Sequence, residues 1–200
     1  MDTRLRRVTA LLVALGALLC ACAAPTVAEF RSRHPTFTPE GNEPDGVQIA
    51  LEEWMGRHDA VVIGMVEDVP AALTLEETAS DGTVSRVERY GYRLWVGRVL
   101  AGTCPDDEVL AWFSVGDLGQ IYVPRKGDVL LCLATTDRDA KVAYDDKAPP
   151  VYFAPSLFFV EDGRVLALYD EEQYAPYDGL TIDECAAALS VVWQAGHAED

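Results

Sequence analysis

Three histidines could serve acid–base or metal chemistry: His34, His58 and His197. His34 falls in a Pro-rich stretch and His197 near the C-terminus, so a Ser-His-Asp arrangement would have to use His58. No Gly-x-Ser-x-Gly elbow accompanies it. His58 therefore reads as a solvated histidine at a helix end. With 33 Asp and Glu residues, proximity of two carboxylates is inevitable, and no glycosidase-type pair stands out. Asp137, Asp139, Asp145 and Asp146 crowd one segment with the oxygen ligands that calcium favours. An EF-hand spacing fails there at Lys141 and lacks its Gly, so the segment reads as a solvated acidic loop. The expectation is no catalytic residue, no metal and no cofactor.

Thiols and aromatic rings remain. Apart from Cys20 and Cys22 the cysteines are Cys104, Cys132 and Cys185, at spacings that match no zinc pattern. Cys132 lies in the apolar run 129–134 and Cys185 on an apolar helical stripe, so both read as small core residues. A disulfide from Cys104 to either stays open. Tyr144, Tyr152, Phe153, Tyr169, Tyr174 and Tyr177 gather in the last third of the chain. An exposed subset of them could form a platform for glycan or peptide.

The start of the chain sets the compartment. Arg4, Arg6 and Arg7 precede an apolar stretch at residues 8–19, followed by small residues. This is the three-part secretory leader, and it is shorter than the roughly 20 apolar residues of a membrane-spanning helix. Leu19-Cys20-Ala21-Cys22 resembles a bacterial lipobox. That resemblance implies cleavage after residue 21 and a diacylglyceryl group on Cys22. The competing reading is ordinary cleavage after Ala21-Cys22-Ala23 and release as a secreted protein. Two acyl chains hold a protein stably where one does not, so a lipid on Cys22 would keep the product on the outer face of the cell membrane. Residues 22–44 carry Pro25, Pro35, Pro39 and Pro44 and read as a flexible tether with a root-mean-square span of about 25 Å. Residues 45–200 read as one domain.

Charge narrows the partners. The whole chain has 16 basic and 33 acidic residues; the leader takes three Arg and one Asp, leaving 13 against 32, a net −19. Such a surface repels nucleic acid, whose binding needs Lys and Arg at phosphates. It also disfavours docking on anionic lipid, so membrane contact is expected only through the anchor. An unknown extracellular protein or a glycan is the expected partner, and the domain is expected to be a monomer.

The elements that must position these residues follow from periodicity. Asp45 and Gln48 suggest a capping box, and Val47, Ala50, Leu51, Trp54 and Met55 form one apolar helical stripe ended by Gly56. Residues 60–66 are a β-branched buried strand. The polar stretch 67–89 reads as an exposed hairpin or long loop turning at Asp81-Gly82. Residues 90–100 form a long strand with Tyr92, Leu94 and Val96 on one face. Val99 returns to that face if a bulge sits at Gly97-Arg98. Strands are expected at 108–114, at a short edge 120–123 and at 128–134, followed by a loop over 135–150. Asp162-Gly163 joins two strands of a hairpin over 158–169. Thr181 and Glu184 make a capping box for a last helix, with Ile182, Cys185, Ala186, Leu189, Val192 and Trp193 buried. The fold class is mainly β (α+β), with about seven strands, mostly antiparallel, between an N-terminal and a C-terminal helix.

The order "HDAVVIGMV", "YGYRLWVGRVLAG", "KGDVLLCLA", "FFVEDGRV" resembles small secreted Gram-positive lipoproteins with an OB-like barrel. Those in turn look like netrin-like and metalloproteinase-inhibitor domains. The resemblance implies an antiparallel OB-like β-barrel. It departs from the pattern at Ala101-Gly102 and at Cys132, and it lacks the paired cysteines of animal netrin modules. Inhibitors of that kind place a free N-terminal Cys on a protease zinc; an acylated Cys22 on a tether would not. The expected function is a non-enzymatic, surface-exposed lipoprotein whose barrel binds an extracellular ligand. The alternatives are a secreted hydrolase with an unrecognised site, a metalloprotease-inhibitor-like module and a purely structural envelope protein.

Overall fold

A computed structural model describes residues 27–33, 49–69, 73–113, 123–143, 145 and 147–198. The proposed lipid site Cys22, His34, the cap residues Asp45 and Gln48, the edge at residues 120–122, Tyr144 and Asp146 lie outside the described residues. The chain is mainly β. Among the described residues there are three helices, α1 (Val27–Arg33), α2 (Leu51–Gly56) and α3 (Ile182–Gly196). The first strands are β1 (Ala60–Asp68), β2 (Leu73–Thr78), β3 (Val84–Gly102) and β4 (Glu108–Phe113). They are followed by β5 (Val129–Thr136), β6 (Ala140–Val142), β7 (Val151–Phe153), β8 (Ser156–Glu161) and β9 (Arg164–Ala167).

Five strands close on one another. β1 pairs with β3 and β5, β3 with β4, β4 with β7, and β7 with β5. Each pairing is antiparallel except β4 with β7, which is parallel. The first half of β3 leaves this ring and pairs with β2, which carries β6 on its other edge. β8 and β9 continue the sheet from β5. Closing a ring removes exposed strand edges, which suits a strand such as β1, buried on both faces from Ala60 to Gly64.

The interior is filled by Val62, Tyr92, Leu94, Leu130, Cys132 and Phe158 with their neighbours. A smaller apolar cluster of Leu73, Leu75, Leu110, Ala140 and Val151 fills the junction under β2 and β6. Polar atoms inside the ring are satisfied: the Tyr92 hydroxyl donates to the Ala154 carbonyl at 2.9 Å and lies 3.3 Å from Ser156 Oγ. The three thiols are free, so no disulfide joins Cys104 to Cys132 or Cys185.

Several expectations change in three dimensions. The N-cap of α2 is Ala50, whose ψ of 142° is extended, so the helix does not run back through residue 50 to Asp45. Its first N–H is satisfied from outside: Leu51 N donates to Gln173 Oε1 at 2.8 Å. Within the 67–89 stretch, residues 67–68 end β1 and residues 73–89 form a hairpin, in which β2 is half buried, with Leu73 and Leu75 in the smaller apolar cluster and β6 on its other edge. β6 itself lies inside the expected loop 135–150. The register of β3 against β1 skips Gly97, as a bulge there requires, but also skips Leu100. Val99 is 39 % exposed and does not return to the core face. The Asp162-Gly163 turn has positive φ at both residues, 49° and 74°, the geometry that matches strand twist. Thr181 and Glu184 form the capping box of α3. Within the stretch read as a tether, α1 is helical and packs on β9.

Candidate binding surface

Among the described residues the C-terminal tyrosines do not form a platform. Tyr152, Tyr169, Tyr174 and Tyr177 are all buried. A 3-10 turn at Ala175–Tyr177 folds this segment back, and Tyr174 and Tyr177 meet Phe158 edge-on at 5.8 and 5.4 Å between ring centres. Burial pushes the Tyr169 and Tyr174 phenols well above the ordinary range. Tyr152 donates to Asp106 Oδ2 at 2.8 Å. Aromatic rings close to short strands and a turn have an apolar cluster within reach, and that burial outweighs exposure.

His58 is buried as well, against the expectation of a solvated helix end. The short α2 delivers it to the start of β1, where its ring stacks between Trp54 at 5.8 Å and Phe153 at 5.9 Å. Phe153 leans on Trp112 at 4.8 Å, and Arg89 lies over Trp112 at 5.2 Å. This column spans one end of the strand ring, beside β1, β7, β4 and β3. Trp112 donates its indole N–H to Asp137 Oδ2 at 2.9 Å, which engages one of the four loop aspartates. Asp145 accepts from Lys147 N at 3.1 Å, and the Asp139 carbonyl accepts from Thr78 N at 2.9 Å. Among the described residues no three His, Cys, Asp or Glu side chains converge on a point where a metal ion could sit.

Desolvation lowers the His58 pKa, so its ring is neutral at pH 7. No nucleophile meets it: its Nδ1 is 2.6 Å from the Trp54 carbonyl, and its Nε2 is buried without a partner. The cysteines are no better placed. Burial raises the Cys132 and Cys104 thiols and pushes Cys185 up to about 12, so thiolate is scarce at each.

Exposed apolar surface lies elsewhere. Trp95 is 47 % and Met65 40 % exposed. They are Cα partners on β3 and β1, and Met65 is also the partner of Val129 on β5. Met65 and Trp95 make an outward row across β1 and β3, and the half-buried Val129 on β5 packs against the core beside them. Alternation puts Trp95 outside because Leu94 and Val96 point in. Beside Met65 opens a cavity of about 640 Å³ lined by Val66, Glu67, Asp68, Arg93 and Lys126. Its far wall is the turn before β5, tied on by Gly127 N to the Val66 carbonyl and Val66 N to the Asp128 carbonyl, both 2.8 Å. Arg93 is paired with Glu108. The surface thus offers an indole, a thioether and charges of both signs, which suits contact and not bond-making.

The sequence held the signal for this row. Trp95 is out of phase with Tyr92, Leu94 and Val96, so a strand with those three inside must turn the indole to solvent. Comparison of the chain with protein-family models, with curated proteins and with solved structures gives no match.

Proposed function

We propose that the chain is a non-enzymatic lipoprotein, carried on Cys22 at the outer face of the cell membrane, whose barrel wall binds an extracellular protein or glycan through Trp95 and Met65. The single observation behind the binding role is the exposed pair of Met65 and Trp95 on adjacent strands beside an open, mixed-charge cavity. Exposed aromatic and Met side chains next to a concavity are the typical anchors of recognition surfaces. A ring of five strands supports reading the barrel as OB-like, a fold that binds ligands on its strand face. A hydrolase reading would place His58 in a cleft, and it is stacked inside an aromatic column instead. Among the described residues no helix is long and apolar enough to cross a membrane.

Photo-crosslinking on intact cells tests the binding role. A partner captured by the native chain should be lost from the Trp95→Ala, Met65→Ala double variant while its circular dichroism and melting stay native. Equal capture by both proteins would remove the surface. Labelling with a fatty-acid analogue tests the anchor, and label that persists in Cys22→Ala would remove it.

A further inference from the structure

We propose that α1 is a strap that fixes the barrel to its anchor, holding the β9 edge toward the lipid surface and leaving the Trp95 wall turned away from it. The orientation, though not the strap, rests on the lipid reading of Cys22.

β9 is the last strand of the sheet, and its outer edge needs partners. Residues 179–181 cover its start, with Val165 N donating to the Leu180 carbonyl at 2.9 Å and Gly179 N to the Val165 carbonyl at 2.8 Å, and Arg31 and Asp178 together cover its end at Ala167. Asp178 Oδ1 accepts from Ala167 N at 2.7 Å, and Arg31 Nη1 donates to the Ala167 carbonyl at 2.6 Å. The two side chains also pair with each other, with Arg31 Nε donating to Asp178 Oδ2 at 3.0 Å and Nη2 reaching the same carboxylate. Arg31, Asp178 and the Ala167 peptide groups thus close a ring that stands where another strand would lie. The fork geometry is one that only arginine provides. The pair is about four-fifths buried, with side-chain exposures of 21 % and 23 %, so screening by solvent is reduced. Arg33 adds a pair with Glu161 at the end of β8, at 2.5 Å but more exposed. Both arginines close α1 at its C-terminal turn, where cations favour the helix. With its arginines engaged by carboxylates, the strap has the barrel as its binding partner in preference to lipid phosphates.

Distance follows from the clamp. Four residues lie between Cys22 and Val27, so extended chain spans the five steps in at most about 18 Å. A free tether over residues 22–44 would let the barrel wander over a longer span. The strap seats on β9, and the sheet runs from there through β8, β5 and β1 to β3. Trp95 is therefore four strands removed from the attachment.

Chymotrypsin cleavage after Phe30 in the full processed chain tests the strap. Arg31→Ala should speed the cut about tenfold while the barrel melts as before, because release of α1 is a local opening. Arg31→Lys, which keeps the charge and loses the fork, should lie between. Equal cutting of all three, or a barrel that melts with the strap, overturns the proposal. For orientation, a fluorophore is attached at Ala175→Cys or at Val99→Cys, each in a Cys104→Ser background, with the protein on phosphatidylcholine vesicles containing spin-labelled lipid. Quenching at 175 and not at 99, equalised by Arg31→Ala, is expected. Equal quenching in the unmutated strap overturns the orientation. A protein that does not stay on the vesicles refutes the anchor and the orientation with it, while the cleavage rates still decide the strap.

Discussion

The Trp54 carbonyl holds Nδ1 of His58 at 2.6 Å, and this contact fixes which face of the imidazole can take a second proton. With Nδ1 donating to that carbonyl, the added proton must go to Nε2, which is buried without a partner between Trp54 and Phe153. Desolvation by burial therefore dominates and lowers the folded pKa below the ordinary 6.5 of histidine. Above pH 6.5 both folded and unfolded chains carry a neutral ring. As pH falls through 6.5 the unfolded chain takes up a proton that the folded one resists, so stability is lost from there down to the folded pKa. Melting temperatures between pH 8 and pH 5 should show this decline. His58→Phe keeps a ring in the stack and should flatten the profile in that window; a profile of unchanged slope would place the titrating group elsewhere.

Local signals and long-range ones differ in what they reveal. The Asp162-Gly163 turn and the Thr181 capping box are legible because every atom they need lies within four residues. The bulge at Gly97 is legible because alternation breaks there. The parallel pairing of β4 with β7 leaves no local trace, since Leu110 and Val151 meet only after 40 intervening residues have folded. The same holds for the cap that Gln173 gives Leu51, and for the clamp of Arg31 on Asp178 across 147 positions. Burial of Tyr174 and Tyr177 depends on contact with Phe158, 16 and 19 positions earlier in the chain. Of the proposed binding surface, the phase of Trp95 was available in the sequence; its neighbour Met65 was not, because register between β1 and β3 carries three shifts.

Tyr92 gives a measure of how far the interior depends on polar pairing. Its hydroxyl is fully buried, donates to the Ala154 carbonyl at 2.9 Å and touches Ser156 Oγ and Cys132 Sγ at 3.3 and 3.6 Å. Tyr92→Phe leaves the ring in place and strands that carbonyl, a loss of about 1–3 kcal/mol. Urea unfolding should show a lower midpoint with an unchanged slope. A neutral result would mean that Ser156 turns to satisfy Ala154 alone.

The thiols should separate by reactivity in the native state. Cys132 and Cys185 are 0 % exposed and their pKa values are raised by desolvation, Cys185 to about 12. Cys104 is half-buried, and the same cause raises it. At pH 8 a disulfide reagent should therefore find Cys104 slowly and the other two only when the chain unfolds. Labelling of Cys132 at the rate of Cys104 would show that the barrel opens far more often than its packing implies.

The end of β3 is a tight junction, and Gly102 is the residue that permits it. Its φ is +69°, and a Cβ there would stand 2.1 Å from the Asp59 carbonyl oxygen and 2.6 Å from the Trp193 ring. The neighbouring Thr103 N donates to that same oxygen at 2.9 Å, so the backbone cannot withdraw without losing the bond. Asp59 is itself held, donating its N–H to the Ala134 carbonyl and accepting Thr136 N on Oδ2, both at 2.9 Å. Gly102→Ala should therefore cost on the order of 2–4 kcal/mol, combining left-handed backbone strain with overpacking. Gly102→Asn separates the two causes, because Asn tolerates the left-handed region but carries the same Cβ. If crowding dominates, both variants lose similar stability in urea. Near-native stability of the Asn variant would show that Trp193 and the α2–β1 junction can move apart, and that backbone conformation alone sets the requirement for glycine.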